Sequence, residues 1–359
     1  MQLRQLPGTD IRVSEVSFGA GTAAGLFVHG SRADQLAAAE RAIELGVNHF
    51  DTAPIYGFGC SEVNLGAVLR ELRAEVLVTT KINIPFQYLA TASIASRIKQ
   101  SVRESLVRLQ RDHIDILLVH NATHFGRGAA ARSVLGDILP DLTLDDLLAP
   151  GGVWETVQEL RAAGLVRYFG VSGQDNDPAA VKALIGAGRI TVFNQPYNLL
   201  NPSAGFPQAR AGSKLPPPFA EQVPGYIDFE DVIEFGRAHL VGASVISPLA
   251  AGALTQEALA GLPAPPVSQR AARFPQPGQY ERALGLARAF EVVAGEADMT
   301  VTELAYRFVL STPGVTTLVG GFSTLEQVVQ AADAASRGPL ADDVIRALNR
   351  VWQTAPPPG

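Results

Sequence analysis

Short apolar segments alternate with longer segments of helical periodicity along most of the chain, and this alternation limits the possible folds most. The predicted strands are residues 16–19, 47–51, 75–80, 114–119, 167–171, 190–194, 242–246 and 315–319. The helices predicted between or after them are residues 33–45, 62–72, 90–109, 153–163, 178–185, 228–238, 301–310 and 324–335. Apolar strands joined by helical crossovers are typical of a parallel sheet covered by helices. Eight such units close a barrel, so we predict an α/β fold, the (β/α)8 TIM barrel.

The same alternation allows one other architecture, a doubly wound open sheet that binds a dinucleotide after its first strand. The segment 19–22 (GAGT) is close to the glycine-rich fingerprint of that fold. It lacks the third glycine and the acidic residue about twenty positions further on. The barrel is therefore the favoured interpretation.

We predict a single domain, residues 1–359, with a core at about 14–336 and a C-terminal helix and tail at 337–359. Before the first barrel strand, residues 3–6 and 11–13 flank a Pro-Gly turn. This pattern predicts an N-terminal β-hairpin, which we expect at the bottom of the barrel.

Three long connections follow predicted strands, at residues 121–152, 198–226 and 249–279. Loops that follow the strands of a (β/α)8 barrel lie on its C-terminal face, where the active sites of this fold are found. Long loops in compact domains are usually functional or mobile. We therefore expect these three loops to surround the site.

Composition excludes several classes of function. The chain has 359 residues, 47% of them hydrophobic, a net charge of −6 and no long basic run, which argues against nucleic-acid binding. No apolar run reaches the roughly 18 residues of a membrane span, and the N-terminus lacks a signal-peptide pattern. The single cysteine, Cys60, excludes an intramolecular disulfide and favours a cytoplasmic protein. We expect Cys60 to be a small buried side chain rather than a reactive thiol.

Polar residues occur at the ends of most of the predicted strands. Asp51 ends the second strand, Tyr56 lies in the loop after it, Lys81 follows the third and His120 follows the fourth. Strands five, six and seven end at Ser172, Gln195 and Ser247. Any one such residue is usually a solvated loop residue. Because parallel strands place their C-termini on one rim, the joint pattern predicts that these side chains converge there.

The four residue types suit proton transfer to a carbonyl oxygen. A phenol ionises near pH 10 and is a poor acid at neutral pH unless a cation stabilises the phenolate. A nearby lysine lowers the phenol pKa, and a carboxylate anchors the lysine. An imidazole can hydrogen-bond the carbonyl oxygen. The spacing of His120 and His124 would suit a helical zinc pair, but they follow a strand, so we predict no metal site.

Several segments match one family in order and spacing. They are residues 50–57 (FDTAPIYG), Ser61-Glu62, Gly66, Thr80-Lys81, 117–120 (LLVH), 164–172 (GLVRYFGVS), 194–198 (NQPYN) and 247–249 (SPL) with Gly252 and Leu254. On these motifs the chain resembles the aldo-keto reductase superfamily from about residue 2 to 336. The resemblance implies that Tyr56 is the proton donor, that Lys81 and Asp51 tune it, and that His120 orients the substrate.

The resemblance also implies a nicotinamide cofactor. Ser172 and Gln195 would hold the carboxamide, and the loop from Ser247 would cover the pyrophosphate. In many members an aromatic residue precedes that serine and stacks on the nicotinamide, whereas this chain has Ile246. The complete predicted cofactor site comprises Gly21, Thr22, Asp51, Ser172, Gln195, Ile246, Ser247, Pro248, Leu249, Gly252, Leu254, Gly320, Gly321, Ser323, Glu326 and Gln330.

Charge near the last helix bears on the choice between NAD and NADP. Many NADP-dependent members carry a lysine and an arginine there, and by spacing Gly320 and Glu326 replace them. A 2′-phosphate needs cations or donors, whereas an acidic residue can accept from a free 2′-hydroxyl. Glu326 would equally suit the helix dipole as an ordinary acid of the first turn. The sequence favours NAD over NADP.

The sequence favours a carbonyl reductase or aldose dehydrogenase acting on a small molecule, an aldose or similar polar aldehyde. A cofactor-binding regulatory barrel without turnover is the first alternative, and the intact group of Asp51, Tyr56, Lys81 and His120 argues against it. A non-redox lyase or isomerase would need a metal or phosphate site, which the motifs do not provide. Nothing in the sequence predicts an oligomeric state.

Overall fold

A closed barrel of eight parallel strands forms the centre of the protein. The structure, a computed structural model, describes residues 1–85, 94–126, 139–172, 175–205, 215–263 and 273–354. The strands are β1 (Leu3–Gln5), β2 (Arg12–Ser14), β3 (Val16–Gly19), β4 (His49–Asp51), β5 (Leu77–Ile82), β6 (Ile114–Val119), β7 (Thr123–His124), β8 (Leu142–Thr143), β9 (Val166–Ser172), β10 (Val192–Pro196), β11 (Gly242–Ile246) and β12 (Val315–Gly321). The barrel runs β3-β4-β5-β6-β9-β10-β11-β12 and closes from β12 to β3. The predicted (β/α)8 barrel is confirmed.

Helices connect the strands and cover the outside of the barrel. They are α1 (Leu26–His29), α2 (Arg32–Glu44), α3 (Cys60–Glu71), α4 (Ile94–Leu109), α5 (Leu144–Leu148), α6 (Val153–Ala162), α7 (Pro178–Gly186), α8 (Pro217–Ala220), α9 (Val232–Ala238), α10 (Gln256–Leu259), α11 (Gln279–Glu296), α12 (Val301–Ser311), α13 (Leu325–Ser336) and α14 (Asp342–Thr354). The first four positions of the predicted helix 90–109 lie outside the described residues. No helix among the described residues is long and apolar enough to cross a membrane.

The N-terminal hairpin covers the end of the barrel where the strands begin. β1 and β2 pair antiparallel, as the sequence predicted. Leu6 and Ile11, from the turn between them, pack against buried residues of the barrel strands that include Ile116 and Val192. The Arg4 guanidinium donates to the Val315 carbonyl oxygen at 2.8 Å, which ties the hairpin to β12. The hairpin therefore closes this end of the barrel.

One long helix was not predicted. α11 (Gln279–Glu296) precedes the crossover helix α12 and buries Ala283, Leu286, Ala287 and Phe290. Their spacing of three and four residues was a readable helix signal. The sequence analysis assigned the preceding proline-rich segment to a loop that extends to residue 279, and it predicted no helix before residue 301. The C-terminal helix α14 packs over this region, where Trp352 lies within 6.0 Å of the Phe290 ring.

The three long loops contain more local structure than the sequence indicated. The loop after β6 holds a second small sheet, in which β7 pairs with β8, followed by the short helix α5. The loops after β10 and β11 contain the short helices α8 and α10. Residues 127–138, 206–214 and 264–272 of these loops lie outside the described residues.

Candidate active site

A cavity of about 1190 Å³ opens at the end of the barrel where the strands finish. Asp51, Tyr56 and His120 lie on its wall, and Lys81 lies buried in contact with Asp51. β4, β5 and β6 are neighbours in the barrel, so residues distant in sequence meet at one rim. The structure therefore brings the four predicted catalytic residues together.

Lys81 and Asp51 form a buried ion pair. The Lys81 Nζ lies 2.6 Å from Asp51 Oδ1, and only 1% and 6% of the two side chains are exposed. Nζ also donates to the Thr52 carbonyl oxygen at 2.8 Å. Lys81 lies inside β5 rather than after it, because the strand continues to Ile82. Burial lowers the pKa of Lys81, but Asp51 and Tyr56 together raise it above its ordinary value, so the lysine stays charged.

Tyr56 lies against both Lys81 and His120. The Lys81 Nζ is 4.9 Å from the centroid of the Tyr56 ring, and the His120 ring meets it edge to face at 5.6 Å between centroids. Burial raises the pKa of the Tyr56 phenol, and the positive charge of Lys81 only partly opposes this effect. The sequence analysis expected the lysine to dominate, whereas burial does. Tyr56 is accordingly a neutral phenol, the form that can donate a proton.

His120 is held by a residue that the sequence analysis missed. Its Nδ1 lies 3.1 Å from the Oδ1 atom of Asn83. Burial, and then the charge of Lys81, lower the pKa of His120 well below its ordinary value, so the imidazole is neutral at pH 7. Asn83 lies two residues after Lys81, so the alternation of side chains along a strand could have identified it.

The loop that carries Tyr56 is fixed by left-handed backbone and by hydroxyl contacts. Gly57, Phe58 and Gly59 all have positive φ, and Phe58 is 95% exposed on the cavity wall. A side chain at Gly57 would come within 2.5 Å of Val28, so only glycine fits there. The Ser61 hydroxyl donates to the Ala20 carbonyl oxygen at 2.7 Å and ties the loop to the first barrel strand.

Most of the predicted cofactor residues line the cavity. Those on its wall are Gly21, Thr22, Asp51, Ser172, Ile246, Ser247, Pro248, Leu249, Gly252, Gly321, Ser323, Glu326 and Gln330. The structure does not place Gln195, Leu254 or Gly320 there. The Gln195 amide donates instead to the Pro196 carbonyl oxygen at 3.0 Å, and Leu254 is fully buried in the core. Gly320 leaves room for the Phe322 ring, which lies 2.3 Å from where its Cβ would be.

Other polar residues of the wall were not predicted from the sequence. They are His29, Asp175, Asn194, Thr255, Glu257, Arg273, Thr302, Tyr306, Thr324 and Gln327. Asn194 donates from Nδ2 to the Ser172 hydroxyl at 3.2 Å. Successive side chains of a strand point to opposite faces, so Asn194 and its neighbour Gln195 cannot both face the cavity. The structure turns Asn194 towards it.

Cys60 and His124 lie outside the group of four residues described above. Cys60 is exposed and lines the cavity at the start of α3, so the expectation of a buried cysteine was wrong. Cys60 directly follows the loop that carries Tyr56, and this position explains its exposure.

His124 lies in β7, with Nε2 3.4 Å from Asp141 Oδ2. The described part of the chain holds no group of three or more His, Cys, Asp or Glu side chains arranged for a metal ion.

The family model named Aldo/keto reductase family matches residues 15–353, nearly the whole length of the chain. The chain belongs to the aldo/keto reductase family. This family consists of oxidoreductases that use a nicotinamide cofactor. Its match extends over every strand of the barrel and over the residues that carry Asp51, Tyr56, Lys81 and His120.

Individual relatives are distant. The uncharacterized oxidoreductase YqkF of Bacillus subtilis (strain 168) is 24% identical over 97% of this chain and 95% of its own length. The L-galactose dehydrogenase of Arabidopsis thaliana is 33% identical over 48% of this chain and 49% of its own length. The structure of a glycerol dehydrogenase from Gluconobacter oxydans superposes with a TM-score of 0.71 at 21% identity, covering 99% of this chain and 97% of that one. At this identity the superposition shows the shared fold.

The buried ion pair yields a test by stability. The Lys81→Met substitution leaves Asp51 as an unpaired buried carboxylate, so the free energy of unfolding should fall by about 3–5 kcal/mol. Adding Asp51→Leu should recover much of that loss, because the double variant contains no buried charge. Chemical unfolding followed by circular dichroism measures both.

The exposed pair Arg32–Glu71 provides the matched control, since its side chains are 42% and 54% exposed. Arg32→Met should change the free energy of unfolding far less than Lys81→Met. A double variant that is less stable than Lys81→Met alone would contradict the pairing of Asp51 with Lys81.

Proposed function

We propose that the protein transfers a hydride between a nicotinamide cofactor and the carbonyl or alcohol group of a small polar substrate, an aldose or similar aldehyde. The observation that supports this function best is the contact of Tyr56 with both Lys81 and His120 on the wall of one large cavity. A neutral phenol beside a fixed cation suits proton transfer to an oxygen that gains negative charge.

Each side chain has a distinct part in carbonyl reduction. A nicotinamide cofactor held in the cavity would supply the hydride for the carbonyl carbon. The Tyr56 hydroxyl gives its proton to the carbonyl oxygen as the C=O π bond becomes a C–O single bond. Lys81 stabilises the resulting phenolate, and Asp51 holds Lys81 in place through the 2.6 Å contact. The oxidation of an alcohol follows the same steps in reverse.

The cavity fits a dinucleotide in size and in its polar groups. Its volume of about 1190 Å³ exceeds the roughly 300–1,000 Å³ of pockets that hold drug-sized ligands. It extends from Tyr56 and His120 to the first residues of α13. Ser172 and Asn194 present a hydroxyl and an amide beside the catalytic residues and would hold the nicotinamide carboxamide. Ile246 would provide an aliphatic contact for the ring.

The far end of the cavity supports a preference for NAD. Glu326 stands exposed in the first turn of α13, where its own backbone N–H and the Thr324 hydroxyl hold the pKa of the carboxylate below its ordinary value. A negative charge is thus already present where the helix N-terminus would otherwise attract a phosphate. The Gln327 side chain accepts from the Ser323 N–H at 2.7 Å and occupies a second backbone donor. A free ribose 2′-hydroxyl suits this environment better than a 2′-phosphate.

An aldose substrate is supported by the sugar-oxidising relative and by the polar residues Asp175, Glu257 and Arg273 on the cavity wall. The Arabidopsis relative acts on L-galactose according to its name, and it matches 48% of this chain. Turnover with NAD or NADP and a panel of aldoses and simple aldehydes tests this proposal. Tight cofactor binding with no turnover of any carbonyl or alcohol would favour the regulatory barrel instead.

The Tyr56→Phe substitution tests the proton donor. It removes one hydroxyl and leaves the ring against Lys81 and His120, so turnover should fall by about 10²–10⁴-fold while cofactor affinity changes little. Tyr168→Phe is the matched control, because Tyr168 contacts Asp10 at the opposite end of the barrel. Steady-state kinetics and cofactor titration measure the two effects. Near wild-type turnover in the Tyr56→Phe variant would reject the assignment.

Cofactor choice has its own test. The wild-type protein should bind NAD more tightly than NADP at equal salt, and Glu326→Arg should shift the ratio of dissociation constants towards NADP. Asp333→Arg, an exposed position further along the same helix, adds the same charge away from the cavity and should leave the ratio unchanged. Isothermal titration calorimetry measures each constant. Tenfold tighter binding of NADP by the wild type would overturn the proposed preference.

A further inference from the structure

Glu62 is a fully buried carboxylate directly behind the loop that carries Tyr56. It is the third residue of α3, and 0% of its side chain is exposed. Its Oε1 accepts a hydrogen bond from the Thr80 hydroxyl at 2.6 Å, and its Oε2 forms an ion pair with Arg108 Nε at 2.7 Å. The carboxylate therefore links α3 to β5 and to α4. None of these three side chains lines the cavity.

The bond between Glu62 and Thr80 joins the two sides of the contact between Tyr56 and Lys81. Thr80 is the residue before Lys81 in β5, and successive side chains of a strand point to opposite faces. Lys81 points into the barrel, so Thr80 points outward, toward α3. α3 begins directly after the loop Tyr56–Gly59. The position of this loop relative to Lys81 is thus set from outside the barrel.

Arg108 holds the same loop at its other end. Its side chain lies over Gly59, where a Cβ atom would come within 3.1 Å of the arginine Cδ. Gly59 has a φ of 93°, a left-handed conformation that favours glycine. Arg108 also donates from Nη2 to the Ser105 hydroxyl at 3.3 Å. The ion pair with Glu62 therefore keeps the guanidinium against the loop.

Stability alone does not account for a charge at this place. A buried ion pair often contributes no more to folding than apolar side chains of similar volume. Leu65 and Leu69, one and two turns further along the same face of α3, are buried apolar side chains. What the carboxylate of Glu62 adds is direction, because its two bonds have a defined geometry. Fully satisfied buried polar groups specify a single arrangement of the elements they join.

We propose that Glu62 is a positioning residue that holds the Tyr56 hydroxyl at the place relative to Lys81 that proton transfer requires. This inference rests on the proposed function and assigns a part in it to a group outside the cavity. A misplacement of about 1 Å in a reacting group can lower a rate about 100-fold. Loss of either bond of Glu62 gives the loop Tyr56–Gly59 that freedom, while the ion pair of Lys81 with Asp51 stays intact.

Two variants of Thr80 test the bond to β5 with little change in shape. Thr80→Val removes the donor to Glu62, so kcat for carbonyl reduction should fall by about tenfold to a hundredfold, while KM and the cofactor dissociation constant change little. Thr80→Ser keeps the hydroxyl and should keep most of the turnover. Steady-state kinetics and cofactor titration measure these effects. Equal kcat values in Thr80→Val and Thr80→Ser would overturn the inference.

Thr156→Val is the matched control. Thr156 is buried in α6, and its hydroxyl donates to the Gly152 carbonyl oxygen at 2.8 Å, away from the cavity wall. Both valine variants lose one buried hydrogen bond and should lose similar stability. Only Thr80→Val should lower kcat. An equal fall of kcat in Thr156→Val would mean that lost stability rather than positioning causes the effect.

A double-variant cycle shows whether the effect passes through Tyr56. Glu62→Gln removes the charge that pairs with Arg108 and should lower kcat in the wild-type background. The Tyr56→Phe variant has no hydroxyl to position, so adding Glu62→Gln should lower its residual turnover much less. Equal losses in the two backgrounds would contradict the inference. If Glu62→Gln does not fold, Thr80→Val takes its place in the cycle.

The position of Tyr56 can also be observed without turnover. The chain contains 7 tyrosines, so labelling with tyrosine that carries ¹³C at Cζ, with Tyr56→Phe for assignment, isolates the Tyr56 signal in NMR spectra. This signal senses the surroundings of the hydroxyl, so it should move in Thr80→Val and stay in place in Thr156→Val. An unmoved signal in Thr80→Val would contradict the inference. A wild type that turns over no carbonyl or alcohol would instead reject the proposed function, and the signal would still decide the position of the loop.

Discussion

The buried ion pair of Lys81 and Asp51 is the interaction on which the rest of the site depends. Two charges inside a barrel cost several kcal/mol each to desolvate, and only close pairing with further hydrogen bonds offsets that cost. The 2.6 Å contact and the bond to the Thr52 carbonyl oxygen provide both. Loss of either charge would leave the other buried without a partner. The pair therefore provides a fixed cation beside Tyr56 and His120.

That cation acts differently on its two neighbours. For Tyr56, burial raises the phenol pKa more than Lys81 lowers it, and the proton is retained. For His120, burial and the cation act in the same direction and keep the imidazole neutral. The Asn83 side chain contacts the Nδ1 side of this neutral ring at 3.1 Å. The protonation states of Tyr56 and His120 thus both respond to the same buried charge.

The sequence predicted the barrel because its strands and crossover helices have clear periodicity. It also predicted that Asp51, Tyr56, Lys81 and His120 meet, because neighbouring parallel strands bring them to one rim. It did not predict features that depend on packing. Alternate side chains of β10 face the cavity, and Asn194 rather than Gln195 is the one that does. Gly320 is required because the Phe322 ring occupies the space of a side chain there. The net pKa of Tyr56 depends on burial, which motifs do not report. The helix Gln279–Glu296 was not predicted, because it directly follows a proline-rich loop.

The pH dependence of carbonyl reduction tests the central claim most directly, because the proposed proton donation requires Tyr56 to hold its proton. A phenol whose pKa is raised above 10 donates at every lower pH, so the rate constant kcat should stay level through pH 9 and decline only at more alkaline pH. The rate constant kcat for alcohol oxidation, which needs the phenolate, should rise over the alkaline range in which reduction declines. A reduction profile that falls with a midpoint near pH 7 would contradict the account, because it would mean that Lys81 outweighs burial.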